Sequence, residues 1–286
     1  MAYNIGKKGG LNVMKISHVI EEHFDSIHSM LAILESRTNN VEMSDQHSSR
    51  NGDARFTGTK SWNEAVELFE NGYTDVLEQI KSGIAKDVRA TQNQTRRTIQ
   101  TGVVGYAPHV PNAINGLPNS MIYTNKQPQK IKAVTIYYAP TENCFVKTET
   151  FIKSGITMLS AINILEMSGV RVNLNVVIFN GVNDEETEGS FGTVKVKDFR
   201  EHLDVQKLCF PIVHPSLFRR FGFKWLETTP QMKKTGWSYG YGHHTPKFNN
   251  FIREQLKENE FLIGLTETYS VKYNPEKLIE LLNIKK

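Results

Sequence analysis

The chain has 286 residues, a formal net charge of +4, an apolar fraction of 39% and an aromatic fraction of 10%. This composition is typical of a globular protein and too apolar for general disorder. No apolar run approaches the roughly 20 residues of a membrane-spanning helix, and the N-terminus has no apolar core of a signal peptide. Cys144 and Cys209 are the only cysteines, which excludes a disulfide framework and a thiolate metal site. We therefore expect a reduced, cytoplasmic protein without a membrane association.

The N-terminal part is predicted to be helical. Apolar residues recur at three- and four-residue steps from Ser17 to Arg37, which is typical of an amphipathic helix. Residues 38–56 are polar and predict a mobile linker. A second helical region begins at Ser61, which fits a capping box with Glu64. The predicted divisions are residues 1–56 (N-terminal helix and linker), 57–100 (helical region) and 101–286 (α/β domain).

A strand–helix–strand pattern occupies the middle of the chain. The β-branched and aromatic run at 131–138 precedes a helical pattern over 150–168 and a second apolar run at 170–179. Continuously apolar strands indicate a sheet covered on both faces. A strand at 261–265 is predicted to join them. The fold class expected is α/β, with a Rossmann-like, mostly parallel sheet flanked by helices and a helical N-terminal region.

Shorter elements complete the prediction for the C-terminal half. Helical patterns stand near 203–209, 215–226 and 248–257, and a short strand is expected at 193–197. Asn274 followed by Pro275 predicts the start of a last helix, because proline is favoured in the first helical turn.

A strand, a polar turn, a long helix and a β-ribbon in this order resemble the von Willebrand factor A-like (vWA-like) domain. Such domains bind Mg²⁺ through an Asp-x-Ser-x-Ser turn, because a hard cation needs several oxygen ligands. The corresponding turn here includes Thr141, Glu142 and Asn143, which offer oxygens without that spacing. The resemblance therefore implies a degenerate vWA-like domain, and we expect neither a bound metal nor a cofactor.

Three sequence phrases look similar to an uncharacterised family of bacteriophage proteins. They begin at Ser61, Val110 and His214 and read SWNEA, VPNAINGLPNSM and HPSLFRRFGF. The resemblance implies a phage or prophage origin and, with it, a location in the host cytoplasm. It implies no established activity.

Two adjacent histidines, His243 and His244, lie in a glycine- and aromatic-rich loop that also contains Trp237 and Tyr241. Adjacent side chains of a regular element point in different directions, and no zinc-type spacing supports a metal site. The favoured interpretation is a surface loop or lid, in which one histidine could still act as an acid–base group.

Arg219 and Arg220 stand among aromatic residues a few positions after His214. Paired arginines with aromatic neighbours bind phosphates and stacked bases in some proteins and anchor protein interfaces in others. The alternative is a helix whose aromatic side chains face the core while both arginines point to water. His214 is expected to start a helix without special chemistry.

The sequence contains no nucleophile elbow, no Walker loop and no dinucleotide-binding glycine motif. Three functions remain open. The preferred one is a non-catalytic interaction protein that docks a protein partner. The others are a nucleic-acid-binding accessory protein, and a hydrolase or nuclease with a dispersed site around Glu142, His243 and His244. The working surface is predicted at the carboxyl ends of the strands, formed by residues 139–145, 214–225 and 236–245.

Overall fold

The computed structural model describes residues 16–38, 49–80, 100–123, 132–141, 146–229 and 244–283. Its strands are β1 (His18–Phe24), β2 (Gln100–Gly102), β3 (Ala107–Pro108), β4 (Met121–Tyr123), β5 (Lys132–Ala139), β6 (Val170–Val182), β7 (Glu188–Lys197) and β8 (Glu260–Gly264). Its helices are α1 (Ile27–Ser36), α2 (Ala54–Thr57), α3 (Trp62–Asn71), α4 (Val110–Ile114), α5 (Thr148–Met167), α6 (Val205–Val213), a π-helix (Leu217–Gly222), α7 (Phe223–Thr228), α8 (Pro246–Gln255), α9 (Leu265–Ser270) and α10 (Pro275–Leu281).

The main sheet has five strands in the order β1–β7–β6–β5–β8. The pairs β1–β7, β6–β5 and β5–β8 are parallel, and β6–β7 is an antiparallel hairpin. The predicted mostly parallel sheet flanked by helices is therefore confirmed, as is the adjacency of β6, β5 and β8. Strands β2, β4 and β3 form a separate antiparallel sheet.

Helix α5 covers one face of the main sheet, and α8 covers part of the other. A Cβ atom at Gly155 of α5 would lie 2.5 Å from the carbonyl oxygen of Ile212 in α6. Only glycine permits this approach, so Gly155 brings α5 close to α6. On the opposite face, Phe248 and Ile252 of α8 pack in a cluster that includes Val177 of β6.

The predicted helix over residues 17–37 is wrong in its first half. Residues His18–Phe24 form strand β1, and α1 begins only at Ile27, after the N-cap Ser26. Ile20 and Phe24 are both buried, and their spacing of four fits one face of a strand as well as one face of a helix. The N-terminal region is thus not simply helical, because its strand belongs to the main sheet.

Strand β1 is also tied to the helical layer. The indole Nε1 of Trp225 in α7 donates to Glu22 Oε2 at 2.7 Å, and Arg37 Nη1 donates to the same oxygen at 2.9 Å. Ile20 and Phe24 share a core cluster with α5 and the sheet. The division of the chain at residues 56 and 100 stays a prediction.

Part of the predicted mobile linker is packed into the protein. Residues 39–48 lie outside the described residues, but Ser49 is fully buried and its backbone N–H donates to Glu227 Oε1 at 2.7 Å. Thr57 and Thr59 are buried as well. The segment that begins at Ser49 is thus anchored at buried positions, although Arg50, Asn51 and residues 53–55 are exposed. The mobile linker stays a prediction.

Two predicted helix starts are confirmed. The Ser61 hydroxyl accepts from the backbone N–H of Glu64 at 3.1 Å, and the Asn274 side chain accepts from that of Lys277 at 2.9 Å. The Glu64 carboxylate, however, accepts from the N–H of Lys60 rather than Ser61, so the capping box is incomplete. Among the described residues, no helix has the length and apolar character needed to cross a membrane.

Candidate functional site at the carboxyl edge of the sheet

The carboxyl ends of β5, β6 and β8 meet at one edge, because these strands run parallel. The chain leaves β5 towards β6 on one side and returns later to β8 on the other side. Such a reversal of strand order opens a crevice, where open α/β sheets usually bind ligands. Thr141, Asn180, His244 and Asn249 lie at this end of the sheet, and we refer to them as the carboxyl edge.

Three carboxyl-edge side chains close a hydrogen-bonded ring, named here the amide ring: Asn180, His244 and Asn249. Asn180 Nδ2 donates to Asn249 Oδ1 at 2.5 Å. Asn249 Nδ2 lies 3.3 Å from His244 Nε2, and His244 Nδ1 lies 3.0 Å from Asn180 Oδ1. The donors and acceptors all match when the imidazole is neutral and carries its proton on Nδ1, a tautomer inferred from these partners.

Thr141 joins the amide ring from the turn after β5. It is buried, and its hydroxyl donates to Asn180 Oδ1 at 3.3 Å. Asn180 is buried in the last third of β6. Its oxygen therefore serves two donors, one from the β5 turn and one from the segment before α8.

Helix α8 is fixed firmly enough to position its members of the amide ring. Thr245 caps it by accepting from the N–H of Phe248 at 3.2 Å, and Pro246 occupies the first turn. A Cβ atom at Gly189 of β7 would lie 2.4 Å from the Phe248 ring. The ring thus lies directly on the strand backbone, and His244 and Asn249 are placed by the same contact.

An ion pair borders the carboxyl edge on the side of β8. Arg253 of α8 contacts the carboxylate of Glu267 in α9. The second oxygen of Glu267 accepts from the N–H of Gly264 at 2.7 Å, where β8 ends. The charges of Arg253 and Glu267 offset each other, so this border adds no net charge.

The predicted site residues are only partly assembled by the structure. Thr141 and His244 are brought together through Asn180. Asn143, Trp237, Tyr241 and His243 lie outside the described residues. Sequence reasoning missed Asn180 and Asn249, for which the only signal was an isolated polar residue in or beside an apolar pattern.

The two arginines are buried, so the interpretation that they point to water is wrong. Arg219 is 1% exposed and Arg220 is 0% exposed. The π-helix that carries them lies on β6 on one side, where a Cβ atom at Gly222 would be 2.0 Å from the oxygen of Ile178. The segment beginning at Ser49 covers it on the other side, so no face of this helix is left for solvent.

Arg220 binds backbone oxygens of that segment. Its guanidinium donates to the carbonyls of Ser49, Arg50 and Thr59 at 2.9, 3.0 and 2.5 Å. Burial lowers the pKa of Arg220, and Glu64 partly opposes this shift. A charged group with this many acceptors is a structural cross-link between the π-helix and residues 49–59.

Arg219 supports the carboxyl edge from the inside. It donates to the carbonyl oxygens of Phe56 at 2.7 Å and Val146 at 2.9 Å. The guanidinium also lies 4.1 Å from the ring centroid of Phe56 and 4.5 Å from that of Phe151, in cation–π geometry. Because Val146 leads into α5, the predicted 214–225 segment holds the connection that follows Thr141.

His214 has a structural setting as well. Its ring stacks on Phe210 with centroids 5.4 Å apart, and Nδ1 accepts from the N–H of Ser216 at 3.2 Å. The pKa of His214 is lowered to about 4, mainly by burial; Glu64 opposes this shift and Arg220 adds to it. The neutral ring is therefore the form present at pH 7. The expectation that His214 starts a helix is wrong, because it is the C-cap of α6.

Burial also shifts the pKa values of Cys209 and Lys224. Burial raises the pKa of the Cys209 thiol to about 12, with a smaller contribution from Asp75. Burial also lowers the pKa of Lys224, and Arg50 adds to this while Glu227 opposes it. A thiol with so high a pKa is a poor nucleophile at neutral pH.

A groove of about 570 Å³ lies at the opposite end of the sheet, beside the end of β7. Its charged side chains form pairs, among them Lys207–Glu201 at 3.7 Å and Lys195–Asp198 at 3.8 Å. None of the predicted site residues lines it. The groove therefore carries mixed charge with an excess of negative groups, because five carboxylates and three lysines line it.

Metal ligands do not converge in the part of the chain that the structure describes. There, no three His, Cys, Asp or Glu side chains are grouped so that they could hold an ion. Glu142, Asn143 and His243 fall outside these residues, so the expected absence of a metal stays a prediction.

Together, the sheet and its helices define a mixed α/β protein whose polar side chains meet at the carboxyl edge. A family model described as "Domain of unknown function (DUF7192)" matches residues 8–285, and the chain belongs to that family. The expected membership of an uncharacterised family is thus confirmed. Neither the search of curated proteins nor the search of solved structures found a match.

Proposed function

We propose that this chain is a non-catalytic, phage-encoded interaction protein that docks a protein partner at the carboxyl edge of a vWA-like sheet. It would act in the cytoplasm of the host cell. The proposal joins the resemblance described above to the geometry of the carboxyl edge.

The connectivity of the sheet supports the vWA-like part of the proposal. Strand β5, helix α5 and the antiparallel β6–β7 hairpin follow one another in the chain, and β8 pairs with the other side of β5. This is the order of strand, long helix and β-ribbon on which the resemblance rests. The turn after β5 contains Thr141, at the position where such domains carry their metal-binding turn.

The observation that carries the proposal is the amide ring. In the part of this edge that the structure describes, amide, imidazole and hydroxyl groups hydrogen-bond to one another. Thr141 and Asn180 are buried beneath His244 and Asn249, which are half-buried. Covering neutral, hydrogen-bonded groups costs much less free energy than covering unpaired charges. A rigid and neutral edge is therefore suited to a protein surface.

The nucleic-acid alternative gains no support from the arginines. Arg219 and Arg220 were its proposed phosphate ligands, and both are buried with guanidinium nitrogens on backbone carbonyls. Surface contact with a phosphate backbone would require them to leave those partners.

A matched pair of charge reversals tests the proposal. Lys247 lies at the start of α8 beside the carboxyl edge, and Lys257 lies just beyond the other end of the same helix; both are exposed. The pair Lys247–Glu186 is 3.7 Å long and solvent-exposed, so its loss should leave the melting temperature almost unchanged. Asn250→Arg, also exposed on α8, is a second variant for the edge.

The readout is quantitative co-purification of the tagged full chain from infected or lysogenic host cells. We expect one protein to co-purify with wild type and with Lys257→Glu at equal yield. The yield of that protein should fall at least tenfold with Lys247→Glu and with Asn250→Arg. Equal yields for all four chains would contradict the proposal. DNA or RNA binding with a steep salt dependence would favour the nucleic-acid alternative instead.

A further inference from the structure

A second surface is formed by residues 100–123, which we name the outer module. It consists of the three-stranded sheet β2–β4–β3 and helix α4. The outer module contains no Asp, Glu, Lys or Arg, although such residues make up 22% of the chain. Nothing in the proposed function uses this surface.

The outer module exposes most of its large apolar side chains. Six of them are between 49% and 81% exposed. They are Val103, Val104, Tyr106, Val110, Ile114 and Leu117. Soluble monomers rarely expose so many apolar groups together, and such surfaces usually mark an interaction site.

These side chains stand on a defined backbone. Tyr106 N–H donates to Ile122 O at 2.9 Å, and His109 N–H donates to Ser120 O at 2.6 Å. A Cβ atom at Gly105 would lie 2.2 Å from Ile122 O, so the turn after β2 can be made only by glycine. The exposed apolar groups are therefore presented in a fixed arrangement.

Five of the six side chains form two neighbouring sets along the chain, and Leu117 follows them in the loop after α4. Val103, Val104 and Tyr106 occupy the turn between β2 and β3. Val110 and Ile114 are four residues apart on α4, so they share one helix face. Both sets belong to one small sheet-and-helix unit.

We propose that the outer module is a self-association surface, and that its occupant is the same module of a second copy of this chain. An uncharged surface does not repel its own copy, although the whole chain carries a net charge of +4. In a two-fold dimer the same patch faces itself, so neutrality and apolar character are complementary by symmetry.

The exposed area is sufficient for a dimer. Each of the six side chains exposes on the order of 100 Å², so two modules would bury roughly 1,200 Å² in total, the lower end of the range for specific interfaces. Strands β2 and β3 each pair with β4, and among the described residues their outer edges meet no other strand. Backbone groups at these edges could add hydrogen bonds between copies.

Sedimentation velocity of the purified full chain over a wide concentration range tests this inference. We expect a monomer–dimer equilibrium that Val104→Lys and Ile114→Lys each weaken at least tenfold in Kd. Because the surface is uncharged, the wild-type Kd should stay almost constant between about 0.05 and about 0.5 M salt. Val104→Thr, which keeps the branched shape, should weaken the dimer less than Val104→Lys.

The matched control is Tyr269→Lys, since Tyr269 is 69% exposed and lies in α9, outside the outer module. It should dimerise like wild type, and all variants should melt like wild type. The inference would be overturned by a wild-type chain that stays monomeric, or by a dimer whose Kd neither lysine substitution changes. It would also be overturned by a monomer that cosediments with phosphatidylcholine–phosphatidylserine vesicles, since the occupant would then be a lipid surface. The measurement needs no partner protein, so its outcome is independent of the Lys247→Glu test.

Discussion

The carboxyl edge and the arginine-bearing π-helix are two polar networks with opposite designs. The amide ring consists of neutral side chains that bind one another. Under the π-helix, Arg219 and Arg220 are charged and bind backbone carbonyls of distant segments. Of these two networks, the charged one is buried in the interior, and the neutral one lies at the carboxyl edge.

The difference shows what each network does. A buried guanidinium is costly unless most of its donors are hydrogen-bonded, so it holds the segments that supply its acceptors. Arg220 thereby holds residues 49–59 onto the π-helix, and Arg219 holds the entrance of α5. The amide ring joins single side chains at loop ends and helix starts. We therefore expect the arginines to dominate stability and the amide ring to adjust the shape of the edge.

The largest expected effect is that of Arg220→Ala. It would leave the carbonyls of Ser49, Arg50 and Thr59 without their donor and open a cavity in the core. Each buried carbonyl that loses its donor costs about 1–3 kcal/mol of unfolding free energy, and the cavity adds to this loss. Chemical denaturation should show this loss, and limited proteolysis should show earlier cleavage within residues 49–59.

The control for Arg220→Ala is Arg55→Ala. The Arg55 side chain is 92% exposed and pairs with Asp53 at the surface. Its loss should leave the denaturation midpoint unchanged within error. If both variants unfold at the same midpoint, the arginine does not hold the two segments together.

An intermediate effect is expected from acid, through His214. Its pKa is lowered to about 4, mainly by burial, while an unfolded histidine titrates near 6.5. The unfolded chain therefore takes up the proton first as the pH falls. The contribution of His214 to the free energy of unfolding is complete above about pH 6.5. It declines towards pH 4, by a total on the order of 3 kcal/mol.

A comparison of wild type with His214→Gln isolates this contribution. The variant should be less stable than wild type at pH 7, and the gap should narrow as the pH is lowered to 5. Parallel stability curves for the two proteins would show that His214 does not titrate in this window. The Glu22–Arg37 pair is present in both proteins, so its own response to acid cancels in the difference.

The sheet was predictable because its signal is local. Strands β5 and β6 carry apolar runs, and the start of α10 is marked by Asn274 with Pro275. Strand β1 was mistaken for helix because the spacing between Ile20 and Phe24 fits both periods. Its pairing with β7, which decides between them, involves residues about 170 positions away.

The two polar networks were less predictable, for a related reason. Four of the acceptors of Arg220 are backbone carbonyls, which every residue has, so no residue type marks them. The hydroxyls of Thr57 and Thr59 are its other acceptors. The aromatic neighbours of both arginines correctly indicated packing, but the cover supplied by residues 49–59 had no signal. In the amide ring, His244 and Thr141 stood out as polar groups in loops. Asn180 sits within an apolar strand, and only the fold shows which side chains it meets.

The smallest expected effects concern the carboxyl edge. Asn180→Ala removes the two hydrogen bonds of Asn180 within the amide ring, and it also removes the acceptor of the Thr141 hydroxyl. We expect it to lower the free energy of unfolding by about 1–3 kcal/mol. Thr141→Val keeps the side-chain shape and removes one 3.3 Å contact, so it should cost about 1 kcal/mol or less.

A double-mutant cycle of Asn180→Ala with Asn249→Ala is the decisive measurement. Because Asn180 and Asn249 belong to one ring, the first loss already breaks it, and the double variant should lose less than the sum of the single losses. Strictly additive losses would mean that the two amides act separately, and the rigid edge on which partner docking depends would then have no basis.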